Sequence, residues 1–194
     1  MRILVVGATG TIGKAVADAL AARHEVLRAS RKADVTVDIT IPDSIRDMYQ
    51  RVGKLDAVVS CAGSGAFKPL AALTDEDIQS TLGDKLMGQV NLVRFGVRHV
   101  NDNGVFVLTA GIFSKRPMPG VTALAMVNGA LESFARAAAL DLPRGIRINT
   151  ISPPFIQETA RAMGLPGGLP AEENAKAYVA LVEGNETGQV VFNN

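Results

Sequence analysis

Met1-Arg-Ile-Leu-Val-Val-Gly-Ala-Thr-Gly-Thr-Ile-Gly13 decides the reading of this chain. Ile3 to Val6 is a short apolar run rich in β-branched residues, the pattern of a strand buried on both faces. Gly7 ends it, Gly10 and Gly13 follow at three-residue spacing, and Lys14 to Ala22 is a strong helix former. Strand, glycine turn and helix in that order make a dinucleotide-binding opening. Gly7 permits the sharp turn, Gly10 lets backbone approach a phosphate, and Gly13 lets the helix pack on the strand. The first turn of the helix then directs free N–H groups at the anion. Gly7, Thr9, Gly10, Thr11, Ile12 and Gly13 are therefore candidate cofactor-binding residues. The alternative, a merely structural tight turn, fits the context less well.

Bulk properties bound what this opening can belong to. The 194 residues suit one domain, residues 1–194, with a sizeable core. A net charge of +1 gives no reason to expect nucleic acid as a partner. No apolar run is long enough to span a bilayer, and the N-terminus reads as a strand rather than a signal peptide. The lone Cys61 excludes an internal disulfide and fits a reducing, cytoplasmic setting. No metal site is expected, because His24 and His99 are far apart with no cysteine or carboxylate group around either.

Further along, strands alternate with helices. Glu25–Ala29 reads as the second strand, and Val35–Val37 as a third that is only a stub at the sheet edge, since the intervening residues cannot hold a crossover helix. Pro42–Val52 reads as a helix with Pro in its first turn, and Asp56–Ser60 as the fourth strand. Thr74-Asp-Glu-Asp77 resembles a capping box, opening one long helix to about His99. Asn101–Gly104 reads as a turn, Val105–Thr109 as strand five, and Ala110–Pro119 as a loop. A long Ala-rich helix over Thr122–Leu140 precedes strand six, Ile146–Ser152. Helices are expected over 155–163 and 170–183, and a last strand over Thr187–Phe192. The expected fold is α/β: a single Rossmann-type, doubly wound parallel sheet of about seven strands with helices on both faces.

By these pieces the chain resembles the short-chain dehydrogenase/reductase family. Cys61-Ala-Gly63 stands where that family has Asn-Asn-Ala-Gly, and Asn128-Gly-Ala-Leu-Glu132 where it has Lys-Ala-Ala-Leu-Glu. Arg147-Ile-Asn-Thr-Ile-Ser-Pro153 is similar to its Arg-Val-Asn-x-Ile-x-Pro-Gly, and Thr187-Gly-Gln189 to its C-terminal Thr-Gly-Gln. The glycine turn departs from the pattern, because the middle glycine comes one position early. The resemblance implies NAD(P)H binding and hydride transfer to a carbonyl or from an alcohol. It also implies a Tyr as general acid/base, a Lys four residues later and a substrate-positioning Ser. Here those positions hold Leu124, Asn128 and Ala110, so all three reacting groups are missing.

Lys85 stands where the family has an active-site Asn, and there it offers a positive charge facing the nicotinamide. The alternative is a Lys that snorkels to solvent. Asn128 retains hydrogen-bonding capacity for a ribose hydroxyl. Thr109, Ser114, Lys115, Tyr178 and Cys61 also lie at or near the expected site, and packing or solvated-loop roles account for each of them. Ser30, Arg31 and Lys32 follow strand two without the acid that NAD-preferring members carry, and suit a 2′-phosphate with Lys32 or Arg28 assisting Arg31. Asp38-Ile39 matches the family's adenine-contacting pair. Cys61, Ala62, Gly63, Pro153 and Ile156 complete the expected cofactor set. The expectation is an NADP(H)-dependent oxidoreductase of atypical mechanism acting on a small-molecule carbonyl or alcohol. A non-enzymatic NADP(H)-binding sensor or assembly protein is the second reading. A homodimer or homotetramer is expected through helices 74–99 and 122–140, because the second is apolar on more than one face.

Overall fold

The structure is a computed structural model and describes residues 1–193. Its centre is one seven-stranded, all-parallel sheet in the order β3-β2-β1-β4-β5-β6-β7. The strands are β1 (Arg2–Val6), β2 (Glu25–Ser30), β3 (Val35–Thr36), β4 (Leu55–Ser60), β5 (Val100–Thr109), β6 (Arg147–Ser152) and β7 (Val190–Phe192). The helices are α1 (Thr11–Ala21), α2 (Pro42–Val52), α3 (Asp75–Thr81), α4 (Gly88–Gly96), α5 (Thr122–Asp141), α6 (Gln157–Ala162) and α7 (Ala171–Glu183). Strand order reverses between β1 and β4, and the crevice at such a switch point is where this architecture takes ligands.

Alternation along β1 divides the core between the two faces. Leu4 and Val6 join the cluster under α2, α4 and α5, where Ile45, Met48, Leu92 and Leu131 are buried. Ile3 and Val5 join the cluster under α1 and α7, where Val16, Leu20, Tyr178 and Val182 are buried. None of the helices among the described residues is long and apolar enough to cross a membrane.

The expected elements are present, with four differences, one being that the last strand opens at Val190 rather than Thr187. The helix expected over 74–99 is three pieces: α3, a π-helical segment at Leu82–Met87, and α4. It does open on the Thr74–Asp77 capping box. Asn101–Gly104 does not separate a helix from a strand but bulges out of β5. Val100 pairs with Leu55 and Val105 with Ala57, so four polar or glycine residues leave the ladder, with Asn103 at φ 60°. The stub β3 does pair in parallel with β2, across a connection of only four residues, because it bonds over just two positions. The helix expected over 155–163 shrinks to α6, since Ile156 is instead bridged to Leu169.

Candidate active site

A cleft of about 370 Å³ opens at the C-terminal ends of β1, β2 and β4. Its floor is the glycine turn. Gly7 has φ +84° and lies so close to the Cys61–Ala62 peptide that a Cβ would come within 2.8 Å of it. A Cβ on Gly13 would stand 2.0 Å from the Gly7 carbonyl oxygen, so only glycine lets α1 seat against the turn. Gly10 differs: its Cβ would meet the same oxygen at 3.4 Å, ordinary contact. Nothing in the fold demands glycine there. Gly10 is also the N-cap of α1, with no side-chain cap and no acid in the first turn. The helix N-terminus therefore keeps its N–H groups for a ligand.

Gly7, Thr9 and Gly10 line this cleft together with Ser30, Arg31, Lys32, Asp38 and Ile39 from beyond β2, and Cys61, Ala62 and Gly63 from the end of β4. Thr11, Ile12 and Gly13 form the first turn of α1 rather than the lining. Pro153 and Ile156 lie past β6, also outside the lining. Arg31 and Lys32 make the cationic end, where Ser30 Oγ accepts the Lys32 N–H at 3.0 Å. Asp38 accepts from the Thr40 backbone N–H (3.0 Å) and hydroxyl (2.7 Å), and these bonds hold its carboxyl below the usual range. Arg28 takes no part: its guanidinium bonds Asp18 of α1 at 2.6 Å. Asp84, Ser64 and Thr40 also line the cleft and were not expected there. Asp84 accepts the Ser64 hydroxyl at 2.5 Å.

Behind the lining, against Gly63, lies Lys85, in the π-helical segment and only 8% exposed. Its Nζ donates to the Ala110 carbonyl at 3.0 Å. Gly63 packs on its stem, where a Cβ would be 3.0 Å from Lys85 Cα. Burial pushes the ammonium down to about 8, against the opposing pull of Asp84. Gln89, fully buried, steadies this corner: its Nε2 donates to the carbonyls of Lys85 (3.1 Å) and Thr109 (2.8 Å), and its Oε1 accepts the Thr109 N–H.

Asn128 is 1% exposed, stands against Gly111, and its Oδ1 has no hydrogen-bond partner. Lys85 and Asn128 thus meet the same Ala110–Gly111 peptide from different elements. Ala110 is buried and Leu124 half-buried against Gly65, so neither offers a proton. The remaining candidates are occupied elsewhere. The Thr109 hydroxyl lies between the Ser60 carbonyl and the Tyr178 hydroxyl (2.8 Å), inside the core. Burial raises Tyr178 far above its ordinary value and pushes the Cys61 thiol up to about 12. Lys115 sits over the Phe192 ring at 4.5 Å. His24 bonds Glu183 and His99 stacks on Tyr49, and no group of metal-ligating side chains occurs among the described residues. Sequence reasoning gave Glu132 no role in the site. It accepts hydroxyls from Ser114 (2.6 Å) and Ser152 (2.7 Å), and no spacing rule joins residues 18 and 20 positions apart.

A family model described as enoyl-(acyl carrier protein) reductase matches residues 2–191. The short-chain dehydrogenase/reductase ATR9 of Stachybotrys chlorohalonatus is 30% identical over 99% of this chain and 94% of its own length. Hydroxynaphthalene reductase arp2 of Aspergillus fumigatus is 32% identical, over 63% of this chain; the chain spans less than half, 45%, of that relative. Among solved structures, protein lin1944 of Listeria innocua is 44% identical and superposes at a TM-score of 0.97, covering all of both chains. A small-chain dehydrogenase solved in complex with NADPH shares the fold at a TM-score of 0.90 and 24% identity, covering all of this chain and 96% of its own.

Proposed function

This chain belongs to the short-chain dehydrogenase/reductase family, and from that premise we propose that it is an NADP(H)-dependent oxidoreductase for a small carbonyl compound or alcohol, with Lys85 as its proton-transfer group. One observation carries the reading: the buried Lys85 packs against Gly63 of the cleft lining, and its Nζ has a single partner, the Ala110 carbonyl, so that two of its three N–H donors remain for a reacting oxygen.

The residues fit the cofactor. The uncapped N-terminus of α1, opening at Gly10 of the cleft lining, would hold the pyrophosphate, and Arg31 with Lys32 and Ser30 would hold a 2′-phosphate. Bound NADPH supplies the hydride. The unpartnered Oδ1 of Asn128 would accept a hydrogen bond from a ribose hydroxyl. The Lys85 ammonium donates to the substrate oxygen as negative charge develops there, and a neutral amine remains until solvent reprotonates it. A value of about 8 suits this role, since the donor is charged at neutral pH yet yields its proton more readily than an ordinary lysine. Gln89 and Gly63 keep the lysine stem in place. Self-association completes the proposal, through the 74–99 and 122–140 stretches, where Met87 of the π-helical segment and Met126 of α5 are 41% and 46% exposed.

The test is steady-state NADPH oxidation against a panel of aldehydes and ketones, with the starting protein and Lys85→Met. The expected result is slow turnover that the substitution abolishes. NADPH binding without turnover on any carbonyl would favour a non-enzymatic sensor, and turnover unchanged by Lys85→Met would refute the role of this lysine.

A further inference from the structure

Glu132 lies outside the chemistry proposed above, and packing alone accounts for it poorly. It is 6% exposed, one helical turn beyond Asn128 on the same face of α5. Among the described residues no cation lies within ion-pair distance of its carboxylate. Two hydroxyls offset only part of what burying that charge costs, and an apolar side chain of similar size would serve a core at least as well. What the carboxylate does achieve is geometric. A single oxygen, Oε1, accepts from Ser114 Oγ at 2.6 Å and Ser152 Oγ at 2.7 Å. It thereby ties α5 to the turn after β5 and to the last residue of β6.

That turn carries the carbonyl on which Lys85 rests. Its first half is fixed by backbone bonds to β6 and just beyond: Ala110 N–H to Ile151 O at 2.8 Å, and Ile112 N–H to Pro153 O at 2.9 Å. Its second half ends at Ser114, whose side chain bonds Glu132. We propose that Glu132 is a positioning residue, which through Ser114 and Ser152 holds the Ala110–Ser114 segment and so places the Ala110 carbonyl that seats the Lys85 ammonium. This rests on the reading of Lys85 given above. If the clamp opens, the segment loosens, water reaches the ammonium, and its proton affinity rises. Three titratable groups belong to elements packed around Lys85: Asp84 on its own segment, Cys61 at the end of β4, and Glu132 on α5.

The experiment follows the Lys85 side chain by NMR of protein labelled with ε-¹³C-lysine, the signal being assigned by its loss in Lys85→Met. Variants Glu132→Ala, Glu132→Gln and Ser114→Ala are titrated over alkaline pH, with NADPH affinity measured by fluorescence. The Gln amide oxygen still accepts both hydroxyls, so Glu132→Gln should leave the Lys85 midpoint in place. Glu132→Ala should raise it by about one unit, a tenfold change in proton affinity, with NADPH affinity unchanged. Ser114→Ala, at a half-buried position, should raise it by a smaller amount and decides the matter if Glu132→Ala does not fold. The proposal fails alone if Lys85 titrates near 8 in the starting protein and stays there in the folded variants. It also fails if Glu132→Gln moves the midpoint as far as Glu132→Ala, since charge and not position would then be at work. An ordinary lysine midpoint in the starting protein would overturn both this inference and the role given to Lys85.

Discussion

Replacing Lys85 by Met removes a charge and keeps most of the volume, so its effect on stability can be worked from the burial of the ammonium. Burial lowers the lysine from 10.5 to about 8, and at 1.36 kcal/mol per unit that amounts to about 3 kcal/mol. Because the folded value lies below the unfolded one, the sign is fixed. Below about pH 8 both states hold the proton and the folded protein bears the whole penalty. Between about 8 and 10.5 the unfolded chain binds more protons, so stability rises with pH and the penalty disappears. At pH 7 Lys85→Met escapes it but leaves the Ala110 carbonyl without its donor, a loss of about 1–3 kcal/mol. The variant should therefore be as stable as the starting protein at pH 7, or up to about 2 kcal/mol more stable, and less stable near pH 10.5. The carbonyl term cancels between the two pH values, leaving a double difference of about 3 kcal/mol. Denaturant unfolding of both proteins at pH 7 and 10.5 measures it directly. Turnover at pH 7 should fall about 10²- to 10⁴-fold in the same variant. Parallel stability-against-pH curves for the two proteins, or undiminished turnover, would refute the burial argument and the catalytic role respectively.

Other outcomes follow from the same geometry. Carbonyl reduction needs the protonated lysine, so its rate should fall as pH rises through about 8 while alcohol oxidation rises, and a pH-independent profile would point to another proton donor. Gly10→Ala should unfold at the temperature of the starting protein, because its Cβ meets only the Gly7 carbonyl oxygen at an ordinary 3.4 Å, yet bind NADPH at least about tenfold more weakly by calorimetry, because the proposed phosphate approach at this residue needs bare backbone. Gly13→Ala, with a Cβ 2.0 Å from a carbonyl oxygen, should instead lose 1–3 kcal/mol or more in denaturant unfolding, about what overpacking costs. Arg31→Ala should remove about 1.5–3 kcal/mol of NADPH binding and little of NADH binding, and equal losses for the two would refute the 2′-phosphate contact. Sedimentation velocity at micromolar concentration should show a dimer or tetramer, and a charge placed at Met126 should dissociate it.

Much of this was legible from local pattern. The glycine turn, the alternating strands and helices, and the Thr74–Asp77 cap are short-range signals, and each stands where it was read. The segment 82–99 was misread for a physical reason: apolar residues near helical spacing cannot distinguish a continuous α-helix from one holding a π turn, since the period changes over only six residues. Asp84 also lines the cleft, although sequence reading singled out only its neighbour Lys85. Arg28 looked like a third cation for the phosphate end. It lies within β2, two residues before the cleft, on the sheet face that α1 covers, and Asp18 of α1 takes its guanidinium. Glu132 was out of reach because its partners arrive from two other elements, and only the assembled sheet brings them together.

The π-helical segment also makes the chain sensitive to length in a way that substitutions cannot imitate. A π turn closes its hydrogen bond one residue later than an α turn, so it holds one extra residue within about the same rotation. Deleting one residue such as Gly83, where an added Cβ would meet nothing, would therefore restore α geometry with α3 and α4 keeping their relative orientation. Thr81, whose hydroxyl accepts the Ala66 N–H at 2.9 Å, would stay in place, as would Leu92 and Val93 of α4. The change would be confined to Leu82–Met87, which carries Asp84 and Lys85, so a single-codon deletion would re-aim those two side chains and leave the sheet and both cores untouched.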